Sequence, residues 1–431
     1  MLQLKYTLFI NEKKQEEFSQ YTDYHSTMIK QKMFIPPLRN SLMAALLGAL
    51  LSIPVFAEPL VSPTWGFRLD LPEEYQYLSG DGKDKFSFRS TEGANFEMVV
   101  YPPGSQQAQS LEALAQDTQK RLNNKGEISF FTYQDKKAAL IELDFSIPAA
   151  QTGGRNTGKN TPLKGWGLCV EMDARANGVP ILLALAYGDA GNAALEILHL
   201  SALDSIAPTN ADRRVPGPVT DFSYPRGNLV QVSLAGLGVK AQVGEFDEEG
   251  AQYLVDREFE VLQLSASTPR WKQAWTRFYR AIYRDSFSRL GEAAFALERY
   301  WDVPAGTGPS EAEALVTAGK ALAWVQSFNY ERNLLGSDFI NLISAAVQGR
   351  GDCDSRAMLW AIIMEQANIP AAIMVSADYG HAMGLIDLAG PGARFDWEGK
   401  RWLVAETTAK VSLGLIGQNV SDPAHWLGVV F

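Results

Sequence analysis

A cysteine stands where a loop turns into an apolar-striped helix, in Arg350-Gly351-Asp352-Cys353-Asp354-Ser355-Arg356. A histidine follows at the start of a strand-like run, Gly380-His381-Ala382, and then an acid in an otherwise apolar one, Trp402-Leu403-Val404-Ala405-Glu406-Thr407. Helix start, strand, strand is an order that calls for an α+β architecture in the carboxy-terminal part of the chain. The unpaired N–H groups and dipole of a helix N-terminus stabilise a thiolate, so a cysteine in this place is expected to titrate below an ordinary thiol.

Cys, His, acid is the chain order of a thiol acyl-transfer site. A cysteine nucleophile needs a base, and the base needs a partner that sets its tautomer and steadies its cation. Of the four histidines, His25 lies in the leader, His199 in an apolar helical run of the amino-terminal part, and His425 in a terminal Pro-Ala-His-Trp loop. His381 alone falls between the thiol and a carboxylate whose burial needs a partner. The expected roles are attack on an amide carbonyl by Cys353, ion pairing and proton return by His381, and acceptance of the imidazole N–H by Glu406. Cys353 could instead be a small buried hydrophobe, and Glu406 could instead pair with an arginine.

The chain has 431 residues, long enough for two or three domains, and a net charge of −10 that argues against nucleic acid or an anionic membrane as partner. Residues 38–57 carry an apolar core near Leu42–Ile53, a basic flank and a Val55-Phe56-Ala57 end, the pattern of a secretory signal cleaved after Ala57. The core is short for a membrane span, so none is expected in the mature chain. Met1–Thr27 is unlike any signal n-region, and Met28 or Met33 is the alternative start. An exported protein, periplasmic or extracellular, with association to the cell envelope open to it, keeps Cys169 and Cys353, either as free thiols or as one disulfide.

Residues 58–207 read as an α+β unit: strand-like runs at Gly66–Leu71, Lys85–Arg89, Phe96–Tyr101, Ile128–Tyr133, Ala138–Phe145, Trp166–Met172 and Ile181–Tyr187, with helices at Ser110–Leu122 and Leu195–Ile206. Asn177-Gly178 signals a hairpin. A proline-bounded linker is expected over 208–218 and short strands near Asp221–Tyr224 and Leu229–Leu234. The helical lead-in of 219–309 spans Asp247–Leu264, Pro269–Arg284 and Ser286–Tyr300, where Trp271, Trp275, Phe278 and Tyr279 share a face expected to pack in a core. Ser310 to Glu313 is a capping box that opens the last unit, 310–431. Phosphate-loop, dinucleotide and Gly-x-Ser-x-Gly patterns are missing, and two separated cysteines with scattered histidines suit no zinc site. Asp352 and Asp354 are read as helix-start acids and not as a calcium loop. No cofactor is expected.

Asn329-Tyr330, Gly349-Arg350-Gly351-Asp352-Cys353-Asp354-Ser355, Gly380-His381-Ala382 and Ala405-Glu406-Thr407-Thr408 resemble the transglutaminase-like superfamily, a papain-like thiol fold, over roughly residues 310–410. Cys353 and His381 match it by residue and neighbours; Glu406 stands where that family usually has Asp and is one methylene longer. The resemblance implies a papain-like core and an oxyanion hole, for which the Cys353 N–H is one donor and Gln326 or Trp324 the candidate second. The element order of 58–207 resembles a Mog1/PsbP-like arrangement. Together these imply thiol acyl transfer on a peptide or protein substrate, hydrolysis preferred over crosslinking. The alternative is a catalytically silent binding or scaffolding module of the cell envelope.

Overall fold

Period-two burial governs the amino-terminal half. In Lys85–Ser90 the side chains of Phe86 and Phe88 point inward, and in Asn95–Tyr101 those of Phe96, Met98 and Val100 do, so each strand has one face to bury. The computed structural model describes residues 58–148, 160–304, 308–332 and 337–431; the expected leader and signal over 1–57 lie outside them. Seven antiparallel strands form the larger sheet: β1 (Tyr75–Gly80), β2 (Lys85–Ser90), β3 (Asn95–Tyr101), β4 (Ile128–Tyr133), β5 (Lys136–Ile147), β6 (Thr161–Glu171) and β7 (Ile181–Asp189), in the order β1-β2-β3-β7-β6-β5-β4. The sequence pattern missed β1 because it is an edge strand exposed along nearly all its length, without alternation. Asn177-Gly178 turns β6 into β7, with Gly178 at φ 127°.

Each sheet face carries a helix. Helix α1 (Leu111–Leu122), capped by Ser110, lays Leu111, Leu114 and Ala115 on Ala139, Ile141, Cys169 and Leu183. Helix α2 (Leu195–Asp204) covers Phe96, Leu140 and Leu168 on the other face. Under α1, Cys169 is fully buried and its thiol is pushed up to about 12 by burial. It and Cys353 are both free. His199 packs inside α2, held down to about 4 by burial.

Residues 208–218, expected as a linker, pack tightly instead. Tyr133 donates to Pro216 O at 2.9 Å, and the Thr209 N–H and hydroxyl donate to Asp212 at 3.0 and 2.7 Å. The strand expected at Asp221–Tyr224 is a helix, α3 (Pro218–Ser223). Pro218 presets the first turn, and Asp204 accepts the Val219 and Thr220 N–H groups at 2.9 and 2.8 Å, a cap supplied from a distant element.

Helices α4 (Asp247–Ser265), α5 (Trp271–Arg289), α6 (Gly291–Tyr300), α7 (Glu311–Gln326), α8 (Leu342–Gln348) and α9 (Cys353–Gln366) follow, with the capping box of Ser310 and Glu313 formed at α7. Phe278 and Tyr279 are buried as the aromatic stripe predicts. One apolar core runs from Leu234 to Val429, so the helical lead-in and the carboxy-terminal strands share it. Those strands are β8 (Ala371–Ser376), β9 (His381–Ile386), β10 (Arg394–Trp397), β11 (Lys400–Ala405) and β12 (Leu427–Val429), an antiparallel sheet ordered β10-β11-β9-β8-β12. The protein is thus a mixed α/β fold dominated by antiparallel sheet. Among the described residues no helix is long and apolar enough to cross a membrane.

Buried ion pairs tie α2 and the segment before β1 to α4 and α5. Arg257 reaches Asp204 at 2.5 Å and Glu258 at 2.8 Å, and Arg277 reaches Glu258 at 2.7 Å and Glu73 at 3.3 Å.

Candidate active site

Three elements bring the sequence candidates together. Gly349, at φ 64°, ends α8 in the left-handed region, and the chain reverses into Arg350–Gly351 before α9 begins at Cys353. Asp352 is the N-cap, accepting the Ser355 N–H at 2.8 Å and its hydroxyl at 2.6 Å. Arg356, one turn on, donates to Gly351 O at 3.1 Å and Phe328 O at 2.8 Å, which anchors the loop ahead of the cysteine.

Helix α9 lies against β9, and Trp360 packs where β9 has Gly384. A Cβ on Gly384 would come within 2.4 Å of the Trp360 ring. Trp360 is fully buried and donates to Ala318 O of α7 at 3.2 Å, so it cannot swing away. Gly384→Ala is therefore expected to cost about 1–3 kcal/mol by overpacking. It should also slow Cys353 alkylation more than the lost stability explains, because the helix moves relative to His381; urea unfolding and iodoacetamide labelling measure the two.

Gly380, at φ 56°, places His381 at the first position of β9. Glu406 follows directly after β11, one residue past the Gly384–Ala405 pair. His381 Nε2 and Glu406 Oε2 are 2.8 Å apart. The other carboxylate oxygen accepts the Thr408 N–H at 2.7 Å and hydroxyl at 2.6 Å. Burial alone would raise Glu406, but the bond and charge of His381, with the two Thr408 donors, outweigh it and hold the carboxyl down at about 2. The longer side chain thus spans to the imidazole with both oxygens engaged.

Cys353 is 7% exposed. Its sulfur accepts from the backbone N–H of Ala382, the residue after His381, and its thiol donates to Asp354 Oδ1 at 3.5 Å. Burial, then the Asp354 and Asp352 carboxylates, push the thiol well up. This corrects the expectation of a depressed thiol: the helix terminus acts on a sulfur that is dry and flanked by two acids. Asp354 is itself raised, by burial first, and accepts the Tyr279 hydroxyl at 2.8 Å.

The two expected oxyanion side chains are placed otherwise. Gln326 Nε2 donates to Glu406 O at 2.8 Å and Val411 O at 2.9 Å, so both its N–H groups hold backbone. Trp324 donates its indole N–H to Ala235 O at 2.8 Å. Burial at the end of α7 obliged both to satisfy nearby carbonyls. Gln326 instead fixes the backbone that carries Glu406.

Three residues beside the thiol were given no role at it from the sequence. Tyr330, on Asn329–Tyr330 paired with Arg350–Gly351, carries its hydroxyl to Cys353. Asp354 looked like an ordinary helix-start acid, and Tyr279 like one member of a core stripe. Their proximity arises from pairing and packing across long stretches of chain, which periodicity does not report. Among the described residues no cluster of metal-ligating side chains occurs.

No family model matches the chain, and no curated protein matches it. Among solved structures it is similar to LpqN, involved in cell envelope biogenesis of Mycobacterium tuberculosis, with 12% identity, 31% of this chain and 79% of that one covered, and a TM-score of 0.22. A Bacteroides thetaiotaomicron protein has 11% identity, coverage of 52% and 75%, and a TM-score of 0.23. A Parabacteroides distasonis protein described as a "putative protease" has 8% identity, coverage of 79% and 72%, and a TM-score of 0.19. Similarity at this level establishes no shared fold.

Proposed function

We propose that the protein is an exported thiol-dependent acyl-transfer enzyme acting on peptide or isopeptide bonds, with a papain-like, transglutaminase-type site of Cys353, His381 and Glu406. The observation that carries this reading is the His381–Glu406 contact at 2.8 Å on a strand whose next N–H meets the Cys353 sulfur. Glu406 engages Nε2, which leaves Nδ1 as the ring nitrogen for the thiol.

The raised thiol makes the resting nucleophile S–H and not a preformed thiolate. His381 Nδ1 takes the thiol proton as sulfur bonds to the carbonyl carbon, and Glu406 steadies the imidazolium. The Cys353 N–H, one of the free donors at the start of α9, and the Tyr330 hydroxyl stabilise the oxyanion. The C–N bond then breaks, the amine leaves with the proton from His381, and a thioester remains. Water, deprotonated by His381, releases the acid and restores the thiol. Hydrolysis is preferred over crosslinking because water is the competing acceptor unless a site excludes it.

One observation favours a second reading, a silent binding module: burial and two acids oppose ionisation of Cys353. Iodoacetamide labelling of Cys353 at neutral pH separates the two. His381→Ala should slow labelling at least tenfold if His381 is the base. Asp354→Asn should speed it several-fold, since a carboxylate charge beside the sulfur is removed. Superimposable rates in wild type and His381→Ala would sink the enzyme reading and leave the binding module.

A further inference from the structure

A cavity of about 490 Å3 opens between the larger sheet's layer and helices α4 and α5; neither Cys353, His381 nor Glu406 lines it. Seven arginines line it against four acidic side chains, and those four are already taken. Asp204 and Glu258 hold Arg257, and Glu258 also holds Arg277. Asp70 receives two bonds from Arg280, at 2.9 and 2.8 Å, and Asp285 is paired with Arg289 from behind.

What remains is positive. Arg284 finds only oxygens without charge, Asp204 O at 2.7 Å and Ile206 O at 2.8 Å among them. Among the described residues, Arg213 Nε is buried with no acceptor, and Nη2 of Arg277, a residue 2% exposed, has none either. Arg68 lines the cavity beside them and forms no ion pair among the described residues. Burial holds Arg68 below its ordinary range; Asp70 opposes this, while the charges of Arg280, Arg213 and Arg284 add to it. Guanidinium groups this close, desolvated and short of acceptors, are unfavourable unless an anion enters among them.

We propose that this cavity is a binding site for a small phosphate-bearing ligand whose phosphate is clasped by Arg68, Arg213, Arg277 and Arg284. Planar guanidinium forks match the oxygens of a phosphate, and a dianion matches several guanidinium groups short of acceptors better than a single carboxylate does. The volume exceeds that of a bare phosphate, and Tyr283 stacked on Phe431, ring centroids 4.1 Å apart, gives the cavity an aromatic wall for the remainder of the ligand.

Sodium pyrophosphate is the probe, titrated into the full chain while thermal unfolding is followed, with sodium chloride at matched ionic strength and disodium succinate as comparison arms. A saturable rise of several degrees with pyrophosphate alone is expected. Arg68→Gln and Arg213→Gln should each weaken apparent affinity at least tenfold, and Lys125→Gln, an exposed change remote from the cavity, should not. Circular dichroism of each unliganded variant establishes folding, and either arginine variant alone suffices if the other fails to fold. The proposal is overturned by a rise that sodium chloride reproduces, by succinate binding in place of pyrophosphate, by no saturable rise, or by unchanged affinity in the folded arginine variants.

Discussion

Glu258→Ala is expected to destabilise the protein by about 3–5 kcal/mol, the range for removing one partner of a buried ion pair. Glu258 is 1% exposed and sits between Arg257 and Arg277, which are themselves buried. Its Oε2 also accepts the Ser201 hydroxyl of α2 at 2.9 Å. Alanine would take one carboxylate from each guanidinium, leaving Arg257 with Asp204 at 2.5 Å and Arg277 with Glu73 at 3.3 Å. The cost comes from burying two guanidinium charges against fewer carboxylates, so Arg277→Leu in the same chain should recover part of it. Urea unfolding measures both. The pH dependence follows the same pair. Burial would raise the Glu258 carboxyl, but the Arg277 and Arg257 charges outweigh it and the net shift is downward. A folded-state pKa below the unfolded one means that this stability is present above the unfolded value, about 4.3, and is lost as pH falls through and below it. The acid-side fall in stability should be shallower in Glu258→Ala than in wild type, and equal slopes would show that the carboxylate is not the group responsible.

Glu406→Gln is expected to keep the fold and lower turnover of a peptide substrate by about 10²–10⁴-fold, the usual worth of a positioned acid–base partner. The amide oxygen would keep the two Thr408 donors, which turns the NH2 toward His381 Nε2. That nitrogen must then accept, the ring proton moves to Nδ1, and the nitrogen meant for the thiol can no longer take a proton. Loss at all pH values with unchanged urea stability is the expected signature. Activity within threefold of wild type would mean that Glu406 is only structural. Glu406→Asp should behave like the glutamine variant. Gln326 and Thr408 hold the backbone and side chain in place at bonds of 2.8 and 2.7 Å. Removing one methylene withdraws the carboxylate by roughly a C–C bond length, about 1.5 Å, from its contact with His381.

Local chemistry was legible without tertiary information. Phe86, Phe88, Phe96 and Met98 announced their strands by alternation, and Ser310 with Glu313, and Asp352 announced helix starts by hydrogen-bonding capacity. Those signals depend only on neighbours a few residues away. Pro218–Ser223 was misread because its helix is capped by Asp204, which lies in another element. Residues 208–218 were misread because polar, proline-bounded composition says nothing of what packs over it.

At the candidate site the order of Cys353, His381 and Glu406 was open to inspection, because a nucleophile, a base and an orienting acid are chemically distinctive residue types. By itself the sequence also determined the strand and helix starts that carry them, since propensity and capping act over a few residues. Only the tertiary structure decided the electrostatics. It dried the Cys353 sulfur and set Asp354 and Asp352 beside it, it aimed the Tyr330 hydroxyl at it, and it spent Gln326 and Trp324 on backbone carbonyls. The physical reason is that desolvation and charge–charge energy depend on distance through space, and residues 279, 330 and 382 meet Cys353 only once β9, α5 and α9 have packed.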